Sequence, residues 1–480
     1  MVLQRERAVP VWGTAKPGEV VAVSFAGQKV EATAGEDGKW KAALAPLEMS
    51  TEGQELSVAA KSGGVAVSIK DVLVGEVWLC SGQSNMEWSV RASKDPQKEI
   101  AEANHPQIRL FHVQRATANA PQESVKGTWA VCNPGSVTNF SAVGYYFGRE
   151  LHRELGVPIG LVASAWGGTR IEPWTPVAGL ESVELTRPLA AQFGDADGVY
   201  QKKMRDYVPV VEAWLAKAKE AIASEADVPA APAAPAPVRY SHSTPTGLYN
   251  GMIHGVVPMA LRGAIWYQGE SNNGEGMAYF EKMKALINGW RSVFENPELS
   301  FYFVQLAPFK YGNGEHTLPY IWEAQTAAAL KVPNTGMAVT TDIGNVNDIH
   351  PRNKQDVGKR LALWALAKNY GKGELVYSGP IYSSMAIEGN QVRVKFDHAA
   401  GGLKARDGKT LTDFTVAGDD GKFFPAQAKI EGETVLVSSP EVAAPKHVRF
   451  GWHHMINPNL CNQAGLPASP FKTDKWLGGK

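Results

Sequence analysis

A serine, a histidine, a glycine pair and several carboxamides stand where they can act together. Ser84 lies in Cys80-Ser81-Gly82-Gln83-Ser84-Asn85-Met86, directly after the apolar run 72–79. Gly167-Gly168 follow the run 159–163, Gln268-Gly269-Glu270-Ser271-Asn272 follow 264–267, and Asp342, Asp348 and His350 follow 337–341. Ligands of open α/β sheets bind just beyond the carboxyl ends of the strands, so these groups converge on one edge. The chemistry they suit is acyl transfer. A serine hydroxyl needs a base, and His350 is the candidate, with Asp348 two residues earlier able to fix the imidazole. The backbone N–H groups of Ser84 and Gly168, with an amide side chain, would hold the oxyanion, each donor being worth about 3–4 kcal/mol. Asn85 can orient the serine turn. Taken singly, each residue has a plainer reading as turn, cap or buried structural group. A Gly-x-Ser-x-Gly elbow is also absent, since position 86 is Met. The coincidence at one edge carries the reading.

The elements that must position these groups alternate in type. The short apolar runs 72–79, 159–163, 264–267, 301–306 and 337–341 read as buried parallel strands. Between them, Tyr146, Leu151 and Leu155, then Tyr279, Met283, Ile287 and Trp290, and finally Val357, Leu361, Trp364 and Ala365 each mark one face of a helix. Alternation of this kind predicts an α/β domain with a doubly wound sheet over 71–375. An insertion at about 175–245 interrupts it. Its helix carries Val211, Trp214, Ala218 and Ile222 on one face, and the Pro/Ala stretch 228–238 must then be extended. Residues 1–70 read as a β-sandwich-like module with runs at 9–12, 20–25, 39–44, 56–60 and 65–69. Residues 376–480 form a second β-rich module, clearest at 391–396, 434–438 and 447–451.

Composition excludes several classes. The chain has 480 residues, 48 Lys plus Arg and 48 Asp plus Glu, so its formal net charge of +0 speaks against a nucleic-acid partner. Hydrophobic residues are 44% and charged residues 20%, ordinary for a globular protein of about three domains. No run of 18 apolar residues is present, so no membrane span is expected. The three cysteines, Cys80, Cys132 and Cys461, are too few for a disulfide scaffold and read as buried thiols. No paired-His or Cys metal spacing and no phosphate loop accompanies the site, so neither metal nor cofactor is expected. Met1 leads straight into a strand-like run, from which we expect a trimmed start; the location expected is periplasmic or secreted, with cytoplasmic as the alternative.

At these same residues the chain resembles the sialate O-acetylesterase group of SGNH hydrolases, which removes O-acetyl groups from carbohydrates. The resemblance rests on Gly82-Gln83-Ser84-Asn85-Met86, Trp166-Gly167-Gly168-Thr169, Trp266-Tyr267-Gln268-Gly269-Glu270-Ser271-Asn272 and Asp348-Ile349-His350-Pro351. It extends through Tyr249-Asn250-Gly251-Met252 and covers about 70 to 370, while the opening Met1-Val2-Leu3-Gln4 is similar to that family's β-domain entered part-way. It implies an SGNH-hydrolase-like (flavodoxin-like) doubly wound parallel sheet flanked by N- and C-terminal β-sandwich-like modules. It further implies Ser84 as nucleophile, His350 as base, and the Ser84 and Gly168 N–H groups in the oxyanion hole. The family's third donor comes from a Gly-x-Asn-Asp block; here the donor is expected to be Gln268 or Asn272, with Gln268 favoured. The family's acid sits three residues before the histidine, where this chain has Asn347. Asp348 is then the best substitute, Asp342 the second, and a Ser–His dyad the third. Asn85, Trp166, Glu270 and Asn250 are expected to bind an O-acetylated sugar, sialic acid or a plant polysaccharide such as xylan or xyloglucan. Trp88, Trp166, Trp174 and Trp266 offer stacking faces, although core packing suits most of them better. A non-catalytic carbohydrate-binding protein and a sugar O-acyltransferase are the competing readings.

Overall fold

The computed structural model describes all residues except 64–66, 238, 313, 315–316 and 479–480. Six strands build the N-terminal module: β1 (Val2–Gln4), β2 (Val9–Thr14), β3 (Val20–Phe25), β4 (Gln28–Thr33), β5 (Lys39–Leu44) and β6 (Ser50–Ala60). Their side chains alternate, so that Trp40, Ala42 and Leu44 of β5 meet Val21, Val23 and Phe25 of β3 in one core.

The next strand, β7 (Val67–Gly82), is 16 residues long and belongs to both modules. Its first half pairs antiparallel with β6, and Leu73 to Gly75 pair parallel with β1. From Glu76 onward it joins the central sheet. The expected boundary at residue 70, with separate runs at 65–69 and 72–79, is therefore one unbroken strand; residues 65 and 66 lie outside the described ones.

The central sheet adds β8 (His105–His112), β9 (Trp129–Cys132), β10 (Ile159–Ala165), β11 (Gly263–Tyr267), β12 (Ser300–Val304) and β13 (Thr335–Ala338). Its order is β13-β12-β11-β7-β10-β8-β9, parallel throughout except for β9, which runs antiparallel to β8. It is therefore mixed, not the all-parallel sheet expected. Counting β7, β10, β11, β12 and β13 as strands 1 to 5 gives the order 2-1-3-4-5, whose switch point lies between β7 and β11. Every residue of β10, β11, β12 and β13 is buried, which requires cover on both faces. Helices Ala142–Leu155 and Lys354–Asn369 pack together, as do Met277–Val293 and Thr317–Lys331.

The insertion contains the helix Ala196–Ala223 and an extended stretch held against it. Tyr207 Oη donates to the Pro232 carbonyl at 2.9 Å and Trp214 Nε1 to that of Pro229 at 2.7 Å. Ala218 is buried as expected, but Ile222 is 66% exposed. In the C-terminal module, the strands Gln391–Asp397, Thr434–Ser438 and His447–Phe450 share a core through Val392, Val394, Val435, Val437, Val448 and Phe450. All three cysteines are free and buried. Among the described residues, no helix is long and apolar enough to cross a membrane.

Two constraints fix β7. At Gly82, φ is +141° and a Cβ would collide with the Tyr267 carbonyl of β11, so only glycine fits. At the domain junction, the fully buried carboxylate of Glu76 accepts from Gln4 Nε2 (2.9 Å), Arg5 Nε (2.6 Å), Arg262 Nε (2.7 Å) and Tyr370 Oη (3.0 Å). Burial alone would raise this carboxyl, but Arg262, then Arg5 and Gln4, outweigh it and hold it below its ordinary 4.5. A depressed folded value stabilises the fold above the unfolded value, and that contribution disappears as the pH falls through the folded value. Glu76→Ala leaves Arg5 and Arg262 with the exposed Glu6 in place of a buried carboxylate, so the urea midpoint at pH 7 should fall by an equivalent of about 3 kcal/mol. The difference from the parent should shrink steadily below about pH 4.5.

Candidate active site

Ser84 opens the one-turn helix Ser84–Glu87 immediately beyond β7, and His350 stands in the loop that leads from β13 to the helix Lys354–Asn369. The two meet: Ser84 Oγ and His350 Nε2 are 2.8 Å apart. The Trp88 indole stacks on the imidazole, with centroids 4.7 Å apart and planes 13° from parallel. Asp348 Oδ1 accepts the His350 backbone N–H at 2.9 Å and stands 4.0 Å from Nδ1. The carboxylate thus holds the loop by its backbone and acts on the ring through space. Asp342, the second choice, is bound at both oxygens by Arg360, each at 2.7 Å. That pair corrects the alternative: the Asp342 carboxylate serves the helix, not the imidazole.

Burial, then the Lys354 ammonium, lowers the His350 imidazole below its ordinary value of 6.5, and Asp348 opposes them. At neutral pH the ring is therefore unprotonated, as a base must be.

The Gly167-Gly168 turn abuts the serine. A Cβ on Gly167 would stand 3.2 Å from Ser84 Cβ, and Gly168 takes φ +76°. Glu87 anchors the turn: Oε2 accepts the Gly167 N–H at 2.9 Å, and Oε1 accepts Arg115 Nε at 2.8 Å. The Arg115 guanidinium lies 5.3 Å from the Trp166 ring centroid, and His242 stacks on Trp166 at 5.5 Å. Among the described residues, no acceptor faces the N–H of Ser84 or of Gly168.

The expected carboxamide donors are engaged elsewhere. Gln268 Nε2 donates to the Thr169 carbonyl at 3.1 Å and to Asn272 Oδ1 at 2.8 Å, and its Oε1 accepts from Tyr279. Asn272 accepts the Ile171 N–H at 3.0 Å and donates to Glu172 and Glu275. Both residues are fully buried, where every polar atom must find a partner, and they brace the 166–171 loop from beneath. This replaces the third-donor expectation. Asn250 is likewise internal: buried in the turn Tyr249–Ile253, it donates to the Ala118 carbonyl at 3.2 Å. Asn85 is buried and its amide is bonded to the half-buried Glu270, so Asn85 faces inward. Of the four expected sugar contacts, Trp166 and Glu270 remain half-buried, while Asn85 and Asn250 are enclosed. Trp174 and Trp266 are core residues. Among the described residues, no group of three or more His, Cys, Asp or Glu side chains is placed to share a metal ion.

Sequence reasoning missed Glu87, Arg115 and Lys354, and it offered Trp88 as a stacking face for sugar where the structure stacks it on His350. Glu87 had a signal, since three residues after Ser84 is the same side of a helix. Lys354 had none, because a lysine opening a helix reads as solvated.

Comparison with known proteins follows this geometry. The family model for carbohydrate esterases described as sialic acid-specific acetylesterases matches residues 74–208 and 210–367. The chain belongs to this family. It is 31% identical to the sialate O-acetylesterase of Rattus norvegicus, over 94% of this chain and 88% of that protein. It is 31% identical to the Homo sapiens sialate O-acetylesterase, over 79% of this chain and 71% of that one. A carbohydrate acetylesterase of known structure from Xanthomonas citri is 36% identical, with a TM-score of 0.82 over 99% of this chain and 97% of that one. The matched span contains Ser84, Glu87, Gly168, Gln268 and His350.

Asp348 acts on His350 through space, so removing its charge has a signed effect. Asp348→Asn keeps an oxygen for the His350 N–H but withdraws the only cause that raises the imidazole. The His350 titration midpoint, followed by ring-proton NMR and assigned by its loss in His350→Gln, should move to lower pH.

Proposed function

We propose that the chain is a serine carbohydrate O-acetylesterase working through an acetyl-enzyme at Ser84. The observation that carries this reading is the 2.8 Å contact between Ser84 Oγ and His350 Nε2 at the β7/β11 switch point. We read the central domain accordingly as SGNH-hydrolase-like. His350 Nε2 takes the hydroxyl proton as Oγ attacks the acetyl carbonyl. The oxyanion forms beside the Ser84 and Gly168 N–H groups, which are fixed beforehand by the helix start and by the Glu87-anchored turn. The imidazolium gives that proton to the sugar's ester oxygen as its bond to the acyl carbon breaks, releasing the free hydroxyl. Water then attacks the acetyl-enzyme, giving up a proton to the same nitrogen; the bond from Oγ to the acyl carbon breaks as that proton passes to Ser84 Oγ, and acetic acid leaves and ionises to acetate. Asp348 stabilises the transient imidazolium from 4.0 Å without a hydrogen bond to Nδ1, so the pair Ser84–His350 performs the proton transfers.

Substrate chemistry follows from the walls. Trp88 gives its face to His350, and Trp166 bears Arg115 and His242, so neither indole is a bare stacking platform. The mouth instead offers a mixed rim of Arg115, Glu87, His242 and Asp348, suited to the hydroxyls of an O-acetylated glycan.

Ser84→Ala and His350→Ala should each lower kcat on p-nitrophenyl acetate by about 10³-fold or more while the far-UV spectrum is unchanged. Acetate release should appear from at least one of acetylated sialosides, xylan and xyloglucan, and disappear in Ser84→Ala. Hydrolysis by Ser84→Ala at the parental rate sinks the serine mechanism.

A further inference from the structure

Behind the reacting pair lies a buried chain of polar groups to which no step above assigns a role. The residue after the nucleophile, Asn85, is 1% exposed. Its Nδ2 donates to Glu270 Oε1 at 2.5 Å and to the Ile349 carbonyl at 3.0 Å, and its Oδ1 accepts from Lys354 Nζ at 2.5 Å. Ile349 immediately precedes the base. The residue next to the nucleophile therefore grips the residue next to the base. Glu270, from the loop after β11, and Lys354, the first residue of the helix Lys354–Asn369, hold the two ends of that carboxamide and fix its orientation.

This grip matters because the usual orienting bond is missing: Nδ1 of His350 has its carboxylate at 4.0 Å. We propose that Lys354, Asn85 and Glu270 are positioning residues that clamp the serine turn to the histidine loop, and that the Lys354 cation sets the lower pH bound of the site by opposing protonation of His350. The proposal rests on Ser84 and His350 being the reacting pair.

The charged and titratable surroundings bear this out. His350 faces Ser84 and Trp88 from the serine side, Asp348 from its own loop and Lys354 from the following helix. Lys354 is fully buried, faces Glu270 and Asp348, and lies 5.2 Å from the Tyr267 ring centroid. Burial lowers this ammonium to about 7, with Glu270 and then Asp348 opposing, while burial raises the Glu270 carboxyl. Through Asn85 the Lys354 ammonium is held against the residue that precedes His350, where its charge opposes that of a protonated imidazole.

The test removes charge and grip separately. Lys354→Gln/Glu270→Gln discards both charges together, leaving no unpaired ion, and keeps amides where Asn85 needs partners. The His350 midpoint, read by ring-proton NMR, should rise, and the acidic limb of kcat/KM against pH should rise with it. Asn85→Ala keeps both charges and is the second variant. It should lower plateau kcat by about 10²-fold with KM unchanged, the loss expected from a misplacement of about 1 Å. An unmoved His350 midpoint in the paired variant, or parental kcat in Asn85→Ala, overturns the proposal. The NMR titration needs no turnover, so an active Ser84→Ala would remove the serine mechanism and leave the titration result standing.

Discussion

A single carboxylate sets the frame. Glu76 is fully buried at the point where β7 leaves the N-terminal module and enters the central sheet, and it is held by Gln4, Arg5, Arg262 and Tyr370. These partners come from β1, from the approach to β11 and from the end of the helix Lys354–Asn369. An ion in that position is stable only with all its partners in place, because an unpaired buried charge costs several kcal/mol. The junction is therefore assembled completely or not at all. Eight residues further on stands Ser84, so the path from this junction to the nucleophile is one strand with no loop between them.

From there the site is built in two layers. The inner layer is Ser84, His350 and the Gly167-Gly168 turn, each at the carboxyl end of a different strand. The outer layer is polar and mostly buried: Glu87 under the glycine turn, Gln268 and Asn272 beneath Thr169 and Ile171, and Asn85 between Glu270 and Lys354. Loops that carry reacting groups are only as accurate as the hydrogen bonds beneath them, and here nearly every outer-layer donor has a named acceptor.

Chemical identity at strand ends was legible; second partners were not. Periodicity predicts the strands around Ser84, Gly168, Gln268 and His350 because buried parallel strands leave short, charge-free runs. The same logic overlooks β8, whose His-Pro-Gln-Ile-Arg-Leu-Phe-His carries a proline and an arginine at the sheet's margin. It also divides β7 at residue 70, because strand identity changes from half-exposed to buried while the backbone continues. Ser84 and His350 were found because acyl transfer demands those residue types. Gln268 and Asn272 were given the wrong task, since a carboxamide near an oxyanion hole and one bracing its loop look alike until each N–H is followed to its acceptor. Lys354 was invisible for a related reason: its burial is a tertiary property, created when Asn85 and Glu270 close over it.

The continuity of β7 has a mechanical meaning. A covalent strand shared by two cores transmits force as tension, and its ladder bonds to β6, β10 and β11 are loaded in shear, side by side. The N-terminal module is joined to the central sheet by this strand and not by a separate linker. By the same token, the N-terminal module is not a portable unit. Exchanging it for another at residue 70 would require the new partner to supply the first half of a strand whose second half already carries the nucleophile.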